Sequence, residues 1–251
     1  MYARDLKFLL DREASKTRQL EAANKQLERY ALDLKQSVEE ERQRRVELDR
    51  AYYDTLLRLT RAAEYRDGET GFHMNRISGY ARVLGLQLQF GAEEAEALAA
   101  AAPLHDVGKI GVPDRVLFEP GPLCEADLRI MEQHTVIGAA LLEGSASELL
   151  ELGRTIALTH HERWDGSGYP QGLAGEAIPM VGRIVMLCDQ YDALRSVRPY
   201  KEPFGHTLTC RILLEGDNRT RPAHFDPVVL AAFETVNREF ETVFEGAQDP
   251  A

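Results

Sequence analysis

The sequence predicts an all-α protein, a helical bundle preceded by one long helix. Three observations lead there. Residues 1–67 contain neither proline nor glycine, the two residues that most often punctuate a helix. Apolar residues in the rest of the chain recur at three- and four-residue spacings, the period of a helix with one buried face. Strand-like alternation is scarce.

The first element is the long helix. Leu6, Leu20, Leu27, Leu34 and Leu48 share one heptad phase, with Glu13 and Glu41 as misfits. The companion positions are Leu10, Thr17, Asn24, Ala31, Val38, Arg45 and Tyr52. This a/d pattern predicts a coiled coil, and Asn24 at an a position favours a two-stranded, in-register pairing. A homodimer through this helix is therefore expected. The chain divides into a coiled-coil signalling helix over 1–55 and a second domain over 56–251. The helical pattern is already running at Met1, which leads us to expect a receiver or sensor domain upstream.

Seven helices follow, near 70–88, 92–106, 125–142, 146–161, 181–196, 205–216 and 226–244. Glycine and proline mark their ends. Long loops are expected around 107–123 and 162–180.

Composition narrows the function. The net charge is −11, and residues 1–50 are nearly neutral, so the acidic excess lies in the second domain. Long nucleic acid needs a basic face, which argues against that partner. No apolar run reaches the roughly 18 residues that suggest a membrane span, and the N-terminus lacks the apolar core of a signal peptide. Cys124, Cys188 and Cys210 form no C-x-x-C pair, which suggests a reducing compartment. A cytoplasmic protein with no membrane partner is expected.

The chemistry lies in histidines and carboxylates. Glu69 and His73 are four residues apart and would share one face of a helix beginning there. His105 and Asp106 are adjacent at the end of an alanine-rich stretch, with Lys109 three residues on. His160 and His161 are adjacent in THHERWDGSGYPQG. Asp189 lies within an otherwise apolar helix, where a buried charge needs a partner, with Asp192 a candidate solvated neighbour. Each feature alone has an ordinary structural explanation. Together they suit metal ions, since imidazole and carboxylate favour Fe, Mn or Zn, and shared carboxylates go with more than one ion. Successive helical residues point about 100° apart, so adjacent histidines suit neighbouring ions, or one ligating while the other bridges or holds a water.

The motifs RDGETGFHMNR (66–76), LHDVGKIGVP (104–113), EQHTVIG (132–138), THHERWDGSGYPQG (159–172), CDQYDALRSVRPYK (188–201) and HFDP (224–227) resemble the HD-GYP domain. That family is a branch of the HD metal-dependent phosphohydrolases. The resemblance implies Glu69, His73, His105, Asp106, His134, His160, His161 and Asp189 as metal ligands, with Asp106 bridging. It implies two or three divalent transition metal ions, Fe or Mn above others. It implies a phosphodiesterase that hydrolyses cyclic di-GMP to pGpG, GMP or both. Asp106 and Lys109 become the catalytic pair, and Lys109, Tyr169, Arg198 and Lys201 the substrate contacts. Asp67 and Asp192 would orient ligands or waters. Where many members read N-K-P-G-K-L, this chain reads FEPGPL (118–123), with Glu119 and Pro122 in place of lysines. Two other functions stand beside this one: a non-catalytic cyclic di-GMP receptor, and a phosphodiesterase for another cyclic dinucleotide such as cyclic GMP-AMP.

Overall fold

The computed structural model describes residues 2–67, 71–145, 147–196 and 203–247. Among them there are ten α-helices, three short 3-10 helices and no strand. The chain separates into two compact units, 1–55 and 56–251. Among the described residues no helix is long and apolar enough to cross a membrane.

The first unit is the main part of α1 (Tyr2–Asp67). Leu20, Leu27 and Leu34 are each more than 60% exposed on it, so its apolar seam is uncovered in a single chain.

The second unit begins within α1 and continues with α2 (Gly71–Gln87) and α3 (Ala92–Ala101). A 3-10 helix, Ala102–Gly111, follows without a break. Then come α4 (Asp114–Leu117), α5 (Glu125–Glu132), α6 (His134–Leu142) and α7 (Glu148–Thr159). After a long loop come α8 (Met180–Arg195), α9 (His206–Glu215) and α10 (Pro227–Gly246).

The largest core joins α2, α3, α8, α9 and α10. Tyr80 stacks on Phe240 with ring centroids 4.6 Å apart, and Tyr191 meets both edge-on. Two smaller clusters lie beyond it. Leu104, Leu142, Leu150 and Ala157 form one, with Leu56 packed against it. Val112, Val116 and Leu117 form the other, with Ile130 and Met131 behind.

Two expected helices differ from the sequence reading. The segment expected to run on as α-helix to 106 turns 3-10 at Ala102, where Pro103 removes a backbone donor. The helix expected over 125–142 is broken at Gln133. There the His134 ring donates to the Met131 carbonyl and Thr135 Oγ1 donates to the Glu132 carbonyl. Side chains thus occupy two acceptors that a continuous helix would need. The expected loop 107–123 also contains the single turn α4.

Candidate metal centre

Five elements meet at one place: the start of α2, the 3-10 helix, the start of α6, the end of α7 and the middle of α8. Close backbone contact makes this possible. A Cβ built on Gly108 would stand 1.9 Å from the His134 carbonyl oxygen and 2.4 Å from the Gly138 nitrogen. Only glycine fits there, and the contact brings Asp106 to His134.

Three histidines are fixed from behind in the same way. Nδ1 of His105 donates to Ala102 O at 3.0 Å, that of His134 to Met131 O at 2.7 Å, and that of His160 to Ile156 O and Ala157 O at 3.1 Å each. A carbonyl only accepts, so each Nδ1 carries hydrogen and each Nε2 faces the site. His73 is held by a carboxylate instead: its Nδ1 donates to Asp192 Oδ2 at 2.8 Å.

The donor atoms fall into two groups, Asp106, His134, His160 and His161 in one, and His73, His105 and Asp189 in the other. Within each group they lie no more than 4.8 Å apart. Asp106 stands between the groups. Its Oδ1 is 3.3 Å from His134 Nε2 and 3.6 Å from His160 Nε2, while its Oδ2 is 3.2 Å from His105 Nε2. Lys109 Nζ lies 2.8 Å from the same Oδ2.

These residues fit divalent ions. His105 Nε2 and Asp106 Oδ1 are buried without a hydrogen-bond partner, since their short contacts lack hydrogen-bond angles. Ligands about 2.1 Å from one ion sit roughly 3–4 Å apart at cis positions, the separations found here. A cation between them satisfies atoms that protein groups leave unsatisfied.

The electrostatics agree. Burial opposes the charge on Asp106, but Lys109 and His105 outweigh it and hold the carboxyl well below the usual range. Burial pushes His134 down to about 4 and His161 well below the ordinary imidazole value. Both rings are therefore neutral, the ligating form. Burial would also lower His105, yet Asp106 and Asp189 raise it to about 8. A metal would displace that proton.

His160 and His161 lie in the same group. The sequence places them on one helix, serving neighbouring ions or with one ligating while the other bridges or holds a water; in the structure α7 ends at Thr159. His160 is the C-cap and His161 lies just beyond it, with the two ring centroids 4.1 Å apart. Tyr169 stacks on His161, with centroids 4.7 Å apart, and its N–H donates to the His161 carbonyl. Gly168 permits this, because a Cβ there would stand 2.3 Å from Arg163 N.

Of the two α8 carboxylates, the candidate solvated neighbour is the buried one. Asp189 is partly open, with 24% of its side chain exposed. Asp192 is the buried one, at 1%. Its oxygens accept from Arg76 Nε and Nη2, His73 Nδ1, Tyr80 and Ser196. Burial raises its pKa, but Arg76 and His73 prevail and hold it far below the carboxylate range. Glu69, Arg198, Lys201 and the side chain of Asp67 lie outside the described residues.

Sequence reasoning missed Glu162 and gave the HFDP motif no role. Glu162 is buried and bonds the loop after α7. The HFDP motif anchors the same loop. His224 O accepts from Trp164 N, and Asp226 pairs with Arg183, whose guanidinium lies over the Trp164 ring. The cue was a carboxylate next to a histidine pair, and the proximity of Trp164 to HFDP was not visible in the chain order.

A family profile described as HD domain matches residues 26–229. The chain belongs to the HD domain family. The HD-GYP motifs read from the sequence account for its two donor groups. The chain is 51% identical over 156 residues to the cyclic di-GMP phosphodiesterase response regulator RpfG of Xanthomonas campestris, covering 62% of this chain and 41% of that one. It is 41% identical over 209 residues to a cyclic di-GMP phosphodiesterase of Vibrio cholerae, covering 78% of this chain and 42% of the relative. The chain thus spans less than half the length of these curated relatives. A solved structure of a cyclic GMP-AMP specific phosphodiesterase of Vibrio cholerae shares the HD fold, with a TM-score of 0.54 at 19% identity over 76% of this chain and 50% of that one.

Proposed function

We propose that this HD domain is a metal-dependent phosphodiesterase that hydrolyses cyclic di-GMP to pGpG, GMP or both. The observation that carries the reading is Asp106, a single ionised carboxylate whose two oxygens face two separate donor groups. The names of the two curated relatives support the substrate.

The residues that would hold metal are His73, His105, Asp106, His134, His160, His161 and Asp189, with Glu69 added from the motif. Two or three Fe or Mn ions are the occupants proposed. Bound there, such ions neutralise phosphate oxygens and lower the pKa of water to make a nucleophile.

The chain's own groups do the rest. Asp106 stays ionised and fixes both donor groups at one spacing. Lys109, beside it, offers a compact charge to the scissile phosphate or the departing 3′ oxygen. Tyr169 lines the approach at His161 as a substrate contact. Arg198 supplies a planar fork for phosphate or guanine, and Lys201 a point charge. The buried imidazoles are held in one tautomer, so little reorganisation accompanies the reaction.

The wider assignment follows the same reading. Residues 1–55 form a homodimeric coiled-coil signalling helix, and 56–251 the HD-GYP catalytic domain, acting in the cytoplasm. A receiver or sensor domain upstream is consistent with the response regulator named among the relatives.

The test is turnover of cyclic di-GMP by protein purified anaerobically and supplied with Fe(II) or Mn(II), with cyclic GMP-AMP offered in parallel. Appearance of pGpG or GMP, lost in a His105→Ala/Asp106→Ala variant, supports the reading. Turnover of cyclic GMP-AMP alone would move the substrate. Binding without turnover would make the domain a receptor.

A further inference from the structure

The loop between α7 and α8 carries His161 at its start and Tyr169 at its middle, and no regular element spans residues 160–174. What holds its shape is therefore a short set of bonds. Trp164 is tied to His224 O and Gly175 N. The other tie is Glu162. Its side chain is buried, with the residue 1% exposed. One oxygen accepts from Gln171 N at 2.7 Å and the other from Leu173 N at 2.9 Å. The two amides flank Gly172, which turns the chain at φ +66°. Gln171 and Gly172 are themselves exposed, so a carboxylate inside the protein grips the outer rim of the loop. Glu162 belongs to neither donor group.

Between the residues of this grip lies the segment that ends in Tyr169. Gly168 packs on the backbone of His161–Arg163, and the Tyr169 ring covers the His161 ring. His160 is the C-cap of α7 and is backed by the Ile156 and Ala157 carbonyls, whereas His161 lies one residue further along the loop.

We propose that Glu162 is a positioning residue: by bonding the Gln171 and Leu173 amides, it holds the loop so that Tyr169 keeps the His161 ring within its donor group. This rests on the reading of that group as a metal site. It adds a role for a residue that touches neither metal nor substrate.

The amide bonds can be read directly by residue-resolved hydrogen exchange, without activity or a known ligand. In the unaltered chain the Gln171 and Leu173 amides should exchange slowly despite their place on an exposed loop. Glu162→Gln presents an amide N–H to one of them and should accelerate their exchange by about tenfold or more, while core amides of α8 stay unchanged. The second readout is Mn(II) bound per chain, by equilibrium dialysis and elemental analysis. Glu162→Gln should fall toward the level of His161→Ala. Tyr169→Ala should show the same fall with the Gln171 and Leu173 amides still protected, which separates the relay from the grip.

Fast exchange of both amides in the unaltered chain would overturn the proposal. So would full Mn(II) binding by Glu162→Gln after protection is lost, the outcome of a merely structural loop tie. If Glu162→Gln does not fold, the unaltered chain and Tyr169→Ala still decide. Absence of Mn(II) binding in the unaltered chain would sink both this proposal and the metal reading beneath it, whereas binding without phosphodiesterase turnover would sink only the assigned activity.

Discussion

The Nε2 atoms of His134 and His160 face each other at 3.3 Å. Each ring already donates from Nδ1 to a backbone carbonyl. In their neutral forms both Nε2 atoms are lone pairs, and two lone pairs at this distance repel. A cation between them turns the repulsion into ligation. Metal binding should therefore stabilise the fold. With free Mn(II) at a hundred times its dissociation constant, linkage adds about 2.7 kcal/mol. For a domain of this size that is roughly 5–10 °C in melting temperature. A thermal melt with Mn(II), then with excess chelator, checks it. A melting temperature indifferent to both would argue against any ion at this site.

Asp192 should set the affinity of the second group without touching metal. It fixes the His73 tautomer and neutralises Arg76 at the same time. Asp192→Asn keeps the shape but weakens both contacts, and loss of such an outer carboxylate lowers metal affinity by about 10–100-fold. Asp192→Ala removes the carboxylate that neutralises the buried Arg76 guanidinium, a loss of about 3–5 kcal/mol. Competition with a metal indicator and a denaturant melt separate the two effects. Equal affinity in Asp192→Asn and the parent would leave Asp192 a structural ion pair only.

The glycine of the HDVGK motif should be intolerant for a backbone reason. A methyl on Gly108 meets the His134 carbonyl and Gly138 nitrogen, neither of which can rotate away. Gly108→Ala is expected to destabilise by about 3 kcal/mol, at the upper end for overpacking. Gly246→Ala, with nothing near its Cβ, should change stability by no more than about 0.5 kcal/mol. Chemical denaturation of both variants gives the comparison.

His224 supplies a pH dependence remote from the metal ligands. Burial, followed by Arg163 and Arg221, lowers its pKa, with Asp165 opposing. Arg221 Nε donates to its Nε2 at 3.2 Å, a bond an imidazolium cannot accept. The folded chain therefore resists protonation more than the unfolded chain does. Its contribution is complete above the ordinary histidine value near 6.5 and is lost as pH falls below it toward the folded value. His224→Gln should melt with a flatter pH dependence between about pH 7 and 5 than the parent. Parallel slopes would remove His224 from the account.

Much of this was legible in the sequence, for identifiable reasons. Helical periodicity found the main helices, because each buries one face against the shared core. The described donor residues were implied by the resemblance to the HD-GYP motifs, and imidazole with carboxylate is a donor set that suits Fe, Mn or Zn. What was not legible was contact between distant segments. Asp189 and Asp192 look equivalent in an apolar helix; only the packing of Arg76 and His73 on Asp192 distinguishes them. The break at Gln133 carries no glycine or proline, since side chains of His134 and Thr135 cause it. Glu162 reads as a surface charge until the loop folds over it.

The long helix makes the last prediction. If Leu6, Leu20, Leu27, Leu34 and Leu48 are d positions, then Lys16 and Arg44 are g positions and Glu21 and Asp49 are e positions. In a parallel, in-register pair each g residue meets the e residue five positions on in its partner. Both charged pairs, Lys16 with Glu21 and Arg44 with Asp49, are then of opposite sign. An antiparallel pair would bring g residues against g residues and give Lys16 and Arg44 like-charged neighbours in one register. The leucine seam is more than 60% exposed at Leu20, Leu27 and Leu34, area that a partner helix would remove from water. Leu20→Asp/Leu27→Asp should therefore shift the chain from dimer to monomer in sedimentation equilibrium. Lys16→Glu should weaken the dimer, and Lys16→Glu/Glu21→Lys should restore it, because opposite charges again face each other. A dimer indifferent to the leucine changes would be held by another surface. A dimer that the charge swap fails to restore would have its helices in another register or direction.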